Sequence, residues 1–82
     1  MQDLRAHHEP TLSHLAMKLL LDAPIGMEVA LPRAGTTLEN AHVFDAVARE
    51  LQREATAGRV QVVRRDEGAD ALVREFVFRR LG

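Results

Sequence analysis

A long amphipathic stretch in the middle of the chain limits its possible folds more than any other feature. Between Leu38 and Ala55, apolar residues recur at steps of three and four, the spacing that places side chains on one face of an α-helix. The positions between them carry mostly charged or amide side chains. The stretch therefore predicts a helix that packs on a core through a single stripe. The stripe consists of Leu38, Ala41, Phe44, Val47, Ala48, Leu51 and Ala55.

The limits of this helix are also marked in the sequence. Thr36 and Glu39 stand three residues apart, as in a capping box, so Thr36 is the expected N-cap. Gly58 is the expected C-terminal stop, because glycine readily adopts the left-handed conformation that ends many helices. The helix is predicted to run to about Thr56. A break near Asn40–Val43 would divide it into two helices.

Two apolar runs after this helix predict a β-hairpin. Residues 59–65 and 72–80 are rich in Val, Phe and Arg, and residues 66–71 between them contain Gly68 and three acidic side chains. The runs are close enough in sequence to pair as antiparallel strands. The side chains expected to face one another across the core are Val60, Val62, Phe76 and Phe78.

The opposite face of this hairpin is predicted to be partly apolar as well. It would carry Val63, Val73 and Val77, with Leu81 near its end. Because apolar faces are normally covered, we expect the first helix or a second subunit to pack there. Val63, Val73 and Val77 are therefore the predicted interaction surface.

The first third of the chain predicts an arm, a helix and a short extended segment. Residues 1–10 are polar and are expected to form a flexible arm, so that residues 11–82 make up the domain. Residues 11–22 have helical spacing of leucines, and Pro24 and Gly26 end that helix. Residues 27–31 alternate in polarity over so short a length that a strand and a helical turn both fit.

Composition narrows the class of protein. A chain of 82 residues with 46% hydrophobic residues forms one small globular domain, and the element order makes it α+β. The absence of cysteine excludes disulfides and thiolate metal sites. The net charge of −1 argues against strong nucleic-acid binding that ignores sequence. The apolar run 15–21 is too short to span a bilayer, so no membrane partner is expected and a cytoplasmic location is the expectation.

The second half of the chain carries a resemblance to a known fold. It reads VFDAVARELQREATAGRVQVV and then RRDEGADALVREFVFRRL, that is, a helix ending at a glycine, a strand, an Arg-rich loop and a return strand. With the preceding helix and short segment, this order resembles the winged helix-turn-helix domain of many bacterial regulators, over about residues 11–82. The resemblance implies a domain that binds double-stranded DNA and regulates transcription, with a homodimer as the expected assembly.

Residues 24–37 leave a second fold open. They contain Pro24, Gly26, Pro32 and Gly35, which suit a loop better than the short helix that the family places before its recognition helix. The alternative is a small α+β fold in which one long helix packs on a sheet of two or three strands.

The resemblance also implies which side chains would meet DNA. Asn40 would bond adenine and Arg49 would reach guanine in the major groove. Arg64 and Arg65 would contact phosphate or the minor groove, while Arg53 and Arg59 would lie near the DNA backbone.

A protein-interaction or dimerisation module without DNA contact is the competing hypothesis. It is favoured by the near-neutral charge, by the acidic tip of the hairpin loop and by the apolar second face of the hairpin. If Arg49, Arg53, Arg64 and Arg65 form one positive face, DNA binding gains support. If they pair with Asp45, Glu50, Asp66 or Glu67, the interaction module gains support.

Catalytic and metal-binding patterns are weak in this sequence. The four histidines, His7, His8, His14 and His42, lack the spacing of a zinc site. Ser13 is the only serine and lacks the glycine-rich turn of a nucleophilic serine. The sequence therefore predicts no enzyme, no cofactor and no metal.

Overall fold

The computed structural model describes residues 12–32 and 37–82, and within them the fold is α+β, as predicted. Two helices, a short 3₁₀ helix and three strands follow one another along the chain. The three strands form one antiparallel sheet. The elements are α1 (Leu12–Asp22), β1 (Glu28–Ala30), the 3₁₀ helix (Thr37–Glu39), α2 (Ala41–Thr56), β2 (Val60–Glu67) and β3 (Val73–Arg80). The predicted arm, residues 1–10, lies outside the described residues.

Helix α2 begins one residue after Asn40, which is its N-cap. The Oδ1 of Asn40 accepts hydrogen bonds from the backbone N–H groups of His42 at 2.9 Å and Val43 at 3.2 Å. This satisfies two donors that the first turn of a helix leaves without a partner. The amphipathic stretch is thus divided at the predicted break, with the 3₁₀ helix before Asn40 and α2 after it. The predicted N-cap Thr36 lies outside the described residues.

The end of α2 confirms the predicted glycine stop. Gly58 has a φ of 83°, a left-handed conformation in which residues with a Cβ are strained. The N–H of Gly58 donates to the carbonyl of Ala55 at 3.0 Å, and the N–H of Arg59 donates to that of Glu54 at 3.0 Å. The chain therefore reverses at Gly58 and enters β2 directly.

The sheet has the order β1-β3-β2, so β3 is the central strand. Phe78 of β3 lies opposite Val29 of β1 on one side and opposite Val62 of β2 on the other. Of residues 27–31, Glu28–Ala30 thus form a strand, and none forms a helical turn. The hairpin is confirmed, and β2 runs two residues further than predicted, to Glu67, because its pairing with β3 continues that far.

Two irregularities in the β2–β3 pairing change which side chains face the core. The register shifts between Val62 and Arg64, so Val63 forms a β-bulge. A second shift lies between Asp66 and Glu67, where Glu67 pairs with Val73. Val73 is 1% exposed and belongs to the core. The expectation that Val73 lies on the outer face is therefore wrong, because the second shift interrupts the alternation along β3.

The core lies between α2, α1 and one face of the sheet. The aromatic rings of Phe76 and Phe78 are 6.4 Å apart and pack under α2. Helix α1 packs mainly against α2, so it does not take the place expected for it on the outer face of the hairpin. The buried side chains are Ala16, Leu20, Ala23, Leu31, Leu38, Phe44, Val47, Ala48, Leu51, Val60, Val73, Phe76 and Phe78.

The outer face of the sheet is crossed by a row of polar contacts. Arg79 donates from Nη2 to Oε2 of Glu28 at 2.7 Å and from Nη1 to Oε1 of Gln61 at 2.9 Å. These bonds join the side chains of all three strands. Within residues 12–32 and 37–82, no helix combines the length and the apolar character that crossing a bilayer requires.

Candidate functional site

A cleft of about 310 Å³ lies between α2 and β2, and we call it the arginine cleft. Its lining consists of Arg49, Gln52, Arg53, Thr56 and Arg65. The four residues from α2 are spaced by three and four, so they share one helical face. Arg65 lies opposite the buried Phe76, hence on the face of the sheet that α2 covers. Every lining side chain can donate a hydrogen bond, and none is acidic.

Asp45 and Arg49 join α2 to the start of β3. The Nε of Arg49 donates to both carboxylate oxygens of Asp45, at 3.0 and 3.1 Å, and its Nη2 donates to the carbonyl of Ala71 at 3.2 Å. Asp45 also accepts from the backbone N–H of Val73 at 2.8 Å. Partial burial opposes ionisation of Asp45, but the Val73 hydrogen bond and the Arg49 guanidinium outweigh it, so the pKa of this carboxyl is lowered.

The other two arginines of the cleft are also paired with carboxylates. Arg53 forms an ion pair with Glu50, one helical turn before it. The Nη2 of Arg65 lies 2.7 Å from Oε2 of Glu67. The Nε of Arg65 is buried and has no hydrogen-bond acceptor among the described residues. Arg65 therefore has hydrogen-bonding capacity that its own ion pair does not use.

Arg64 and Arg59 lie away from the cleft. Arg64 follows the bulge on the outer face, where its Nε donates to Asp66 at 2.9 Å and its Nη2 lies 3.1 Å from Glu75. The hydrogen bond from Arg64 lowers the pKa of Asp66. Arg59, after the end of α2, has its Nη1 3.4 Å from Oε1 of Glu54.

Asn40 is at the opposite end of α2 from the cleft. At a rise of about 1.5 Å per residue, Asn40 and Arg53 are separated by about 20 Å along the helix. The Oδ1 of Asn40 is bonded to the first turn of the helix. Of the six residues predicted to meet DNA, the structure thus brings three together, Arg49, Arg53 and Arg65.

An apolar surface that the sequence reasoning missed lies where α1 ends, β1 begins and β3 ends. We call its residues, Leu21, Ile25, Met27 and Leu81, the apolar end; each is between 50% and 62% exposed. The Gly26 N–H donates to the carbonyl of Arg80 at 2.8 Å, which holds the turn against β3. In the sequence, this surface is indicated by Ile25 and Met27, two large apolar residues in a turn that contains Pro24 and Gly26.

Among the described residues, no three His, Asp or Glu side chains are placed to hold a metal ion. His14 and His42 are exposed on α1 and α2. His7 and His8 lie outside the described residues.

Comparisons with models of protein families, with curated proteins and with solved structures find no match for this chain.

Proposed function

We propose that this chain is a small, non-catalytic protein-interaction module that contacts protein partners, a second copy of itself included, through the apolar end. The observation that carries the proposal is the position of the exposed apolar side chains. Of the five large apolar residues that are exposed in the described part of the chain, four belong to the apolar end. Large apolar side chains gathered at one place on a soluble protein are typical of contact surfaces.

The small size of the domain supports the same proposal. A domain of about this length buries only about 60% of the surface of its unfolded chain, so covering further apolar surface adds noticeably to its stability. Self-association is one way for a small core to gain that burial. The apolar end is continuous with the core through Leu20 and Ala23, which are buried beside the exposed Leu21 and Ile25.

The arrangement of charges favours the interaction module over DNA binding. Arg49, Arg53, Arg64 and Arg65 each lie within ion-pairing distance of a carboxylate. Residues 44–82 hold eight arginines and seven acidic residues, so this half of the chain has almost no net charge. Binding to the DNA backbone depends on a net positive surface that releases counterions from phosphate.

DNA binding by a winged-helix-like domain is the second candidate function. It is favoured by the element order, in which a 3₁₀ helix stands directly before α2 and a hairpin follows, and by the three arginines of the arginine cleft. Exposed ion pairs contribute only about 0–1 kcal/mol, so phosphate groups can compete with the carboxylates for these arginines. In this function α2 is the recognition helix and the hairpin is the wing.

Self-association is measured by sedimentation equilibrium from about 1 µM to 1 mM protein, the range that covers weak dimers. We expect a concentration-dependent dimer in the natural chain and a monomer in Ile25→Glu. Val63→Glu is the matched control, because Val63 is an exposed apolar residue on β2 rather than at the apolar end. A monomer at every concentration, or a dimer that Val63→Glu abolishes and Ile25→Glu does not, contradicts the proposed surface.

The second candidate is tested by fluorescence anisotropy with a random-sequence duplex, titrated from about 20 to 200 mM salt. Binding that weakens steeply with salt, and less steeply in Arg65→Gln, would establish DNA as a partner. Arg79→Gln is the control, since Arg79 bonds Glu28 and Gln61 on the outer face of the sheet. An absence of binding at the lowest salt concentration removes this candidate.

A further inference from the structure

We propose that the arginine cleft is a binding site for a phosphate monoester, a single tetrahedral dianion carried by a phosphorylated protein side chain or by a small molecule. The site is separate from the apolar end, so the inference does not depend on the function proposed above. Its basis is the lining: three guanidinium groups, one amide and one hydroxyl meet in one cleft, with no carboxylate among the lining residues.

The guanidinium groups keep donors that their ion pairs do not use. A guanidinium has five N–H bonds in a fixed plane. Among the described residues, Arg49 uses its Nε and Nη2, and the ion pairs of Arg53 and Arg65 each engage one Nη2. No described residue accepts a hydrogen bond from the Nη1 of any of these three arginines. Two parallel hydrogen bonds to phosphate oxygens require N–H bonds on two nitrogens of one guanidinium, so each Nη1 would act together with the N–H of Nη2 that the existing contact does not use.

The neighbouring carboxylates orient these arginines. Asp45 holds Arg49 by two hydrogen bonds from one side, and the Ala71 carbonyl holds it from another. Glu67 contacts Arg65 from further along β2. A side chain that is already held in place loses less entropy when a ligand binds, so these contacts favour binding of an anion that reaches the cleft.

The same carboxylates favour one phosphate group over a polyanion. Asp45, Glu50 and Glu67 balance the charges of the three arginines, so the described residues around the cleft form no extended positive surface for a chain of phosphates to follow. A single dianion contacts the guanidinium groups at hydrogen-bond distance, where charge-assisted bonds are strongest. The volume of about 310 Å³ leaves room for the phosphate and for part of the group that carries it.

The test is an NMR titration of the ¹⁵N-labelled full chain at about pH 7.5, where the monoester is a dianion because its second pKa is about 6. The probes are O-phosphoserine, a neutral peptide with one phosphoserine, the same peptide unphosphorylated, and a random-sequence DNA duplex. We expect saturable shifts centred on the amides of Arg49, Arg53 and Arg65 with both phosphorylated probes. We expect none with the unphosphorylated peptide.

Two variants and a control distinguish the loss of a binding site from the loss of the folded structure. Arg65→Gln and Arg53→Gln should each weaken binding about tenfold, the factor for one lost charge-assisted bond. Arg53 is an exposed side chain on α2, so its substitution leaves the core unchanged. Arg79→Gln on the outer face should bind like the natural chain.

The outcomes also distinguish the carrier of the phosphate. Tighter binding of the phosphopeptide than of phosphoserine assigns a protein carrier, and equal binding assigns a small molecule. The proposal is overturned if shifts stay linear and spread over the surface, or if the arginine variants bind with unchanged affinity. It is also overturned if the duplex binds more tightly than either monoester with a steep salt dependence, which would assign the cleft to DNA.

Discussion

Replacing Asp45 with alanine should remove one of the strongest polar links between α2 and the sheet. Asp45 accepts from the backbone N–H of Val73 at 2.8 Å and pairs with Arg49 one turn further along the helix. A hydrogen bond to a charged acceptor contributes about 1.5–3 kcal/mol, and an ion pair one turn apart on a helix adds about 0.3–0.5 kcal/mol. We expect Asp45→Ala to lower the free energy of unfolding by about 2–3 kcal/mol.

The effect is measured by urea unfolding and by thermal unfolding, both followed by circular dichroism. For a domain of this size a loss of 2–3 kcal/mol corresponds to a fall in Tm of roughly 10–20 °C. Asp45→Asn should be less harmful than Asp45→Ala, because its amide oxygen still accepts from Val73. The control is Asp22→Ala, which removes the exposed pair with Lys18 and should change stability by less than about 0.5 kcal/mol.

The contribution of Asp45 should also depend on pH. Its pKa is lower in the folded chain than in the unfolded chain, so the unfolded state binds more protons as the solution is acidified. The stabilisation is complete above the unfolded pKa of about 4 and is lost as the pH falls through the folded pKa. The stability difference between the natural chain and Asp45→Asn should therefore shrink from pH 6 towards pH 3. Equal stability of Asp45→Ala and the natural chain at pH 7 would refute the reasoning.

Two further predictions concern the ends of α2. Asn40→Ala should destabilise the domain by about 1 kcal/mol in urea unfolding, because two backbone N–H groups lose their acceptor, whereas Asn40→Asp should not. No loss in Asn40→Ala would contradict the capping role. Gly58→Ala should cost about 1–2 kcal/mol at a φ of 83°, and the cost is conformational because a Cβ there would meet no atom within 4 Å. Gly58→Asn should cost less in the same assay, and a neutral Gly58→Ala would be inconsistent with the left-handed conformation.

The parts of the fold that follow from local patterns were predictable from the sequence. The stripe from Leu38 to Leu51 determined the buried face of α2, because period and polarity agreed over several turns. Gly58 marked the end of the helix for a stereochemical reason that does not depend on the rest of the fold. The hairpin followed from two apolar runs separated by a turn containing Gly68.

The parts that depend on tertiary contacts were not predictable. The run from Val60 indicates that Val60 and Val62 face the core, but nothing in it marks Val63 as a bulge, which follows only from the pairing of β2 with β3. The second shift placed Val73 in the core for the same reason. The strand that pairs with β1 could not be predicted either, because Glu28 and Arg79, which pair in the sheet, are far apart in sequence.

The sequence indicated which residue types form the candidate site, but it did not show which of those residues lie together. Arg49, Arg53 and Arg65 were singled out, and the structure brings them to one cleft. Arg64 lies on the other face of the sheet, and this could not be predicted without knowing the register in which β2 pairs with β3. Asn40 carried a capping signal of its own, since asparagine is among the preferred N-cap residues, but the Thr36 and Glu39 pattern had indicated an earlier start.

The central place of β3 has a consequence for the order in which the domain folds. Among the described elements β3 is synthesised last, yet both other strands pair only with it. On the ribosome, α1, β1 and α2 therefore emerge before any sheet exists on which α2 can pack. The hairpin closes locally once β3 appears, whereas the β1–β3 pairing must bring together residues about fifty positions apart, as in Glu28 and Arg79. We expect β1 to join the sheet last during folding and to leave it first when the domain opens.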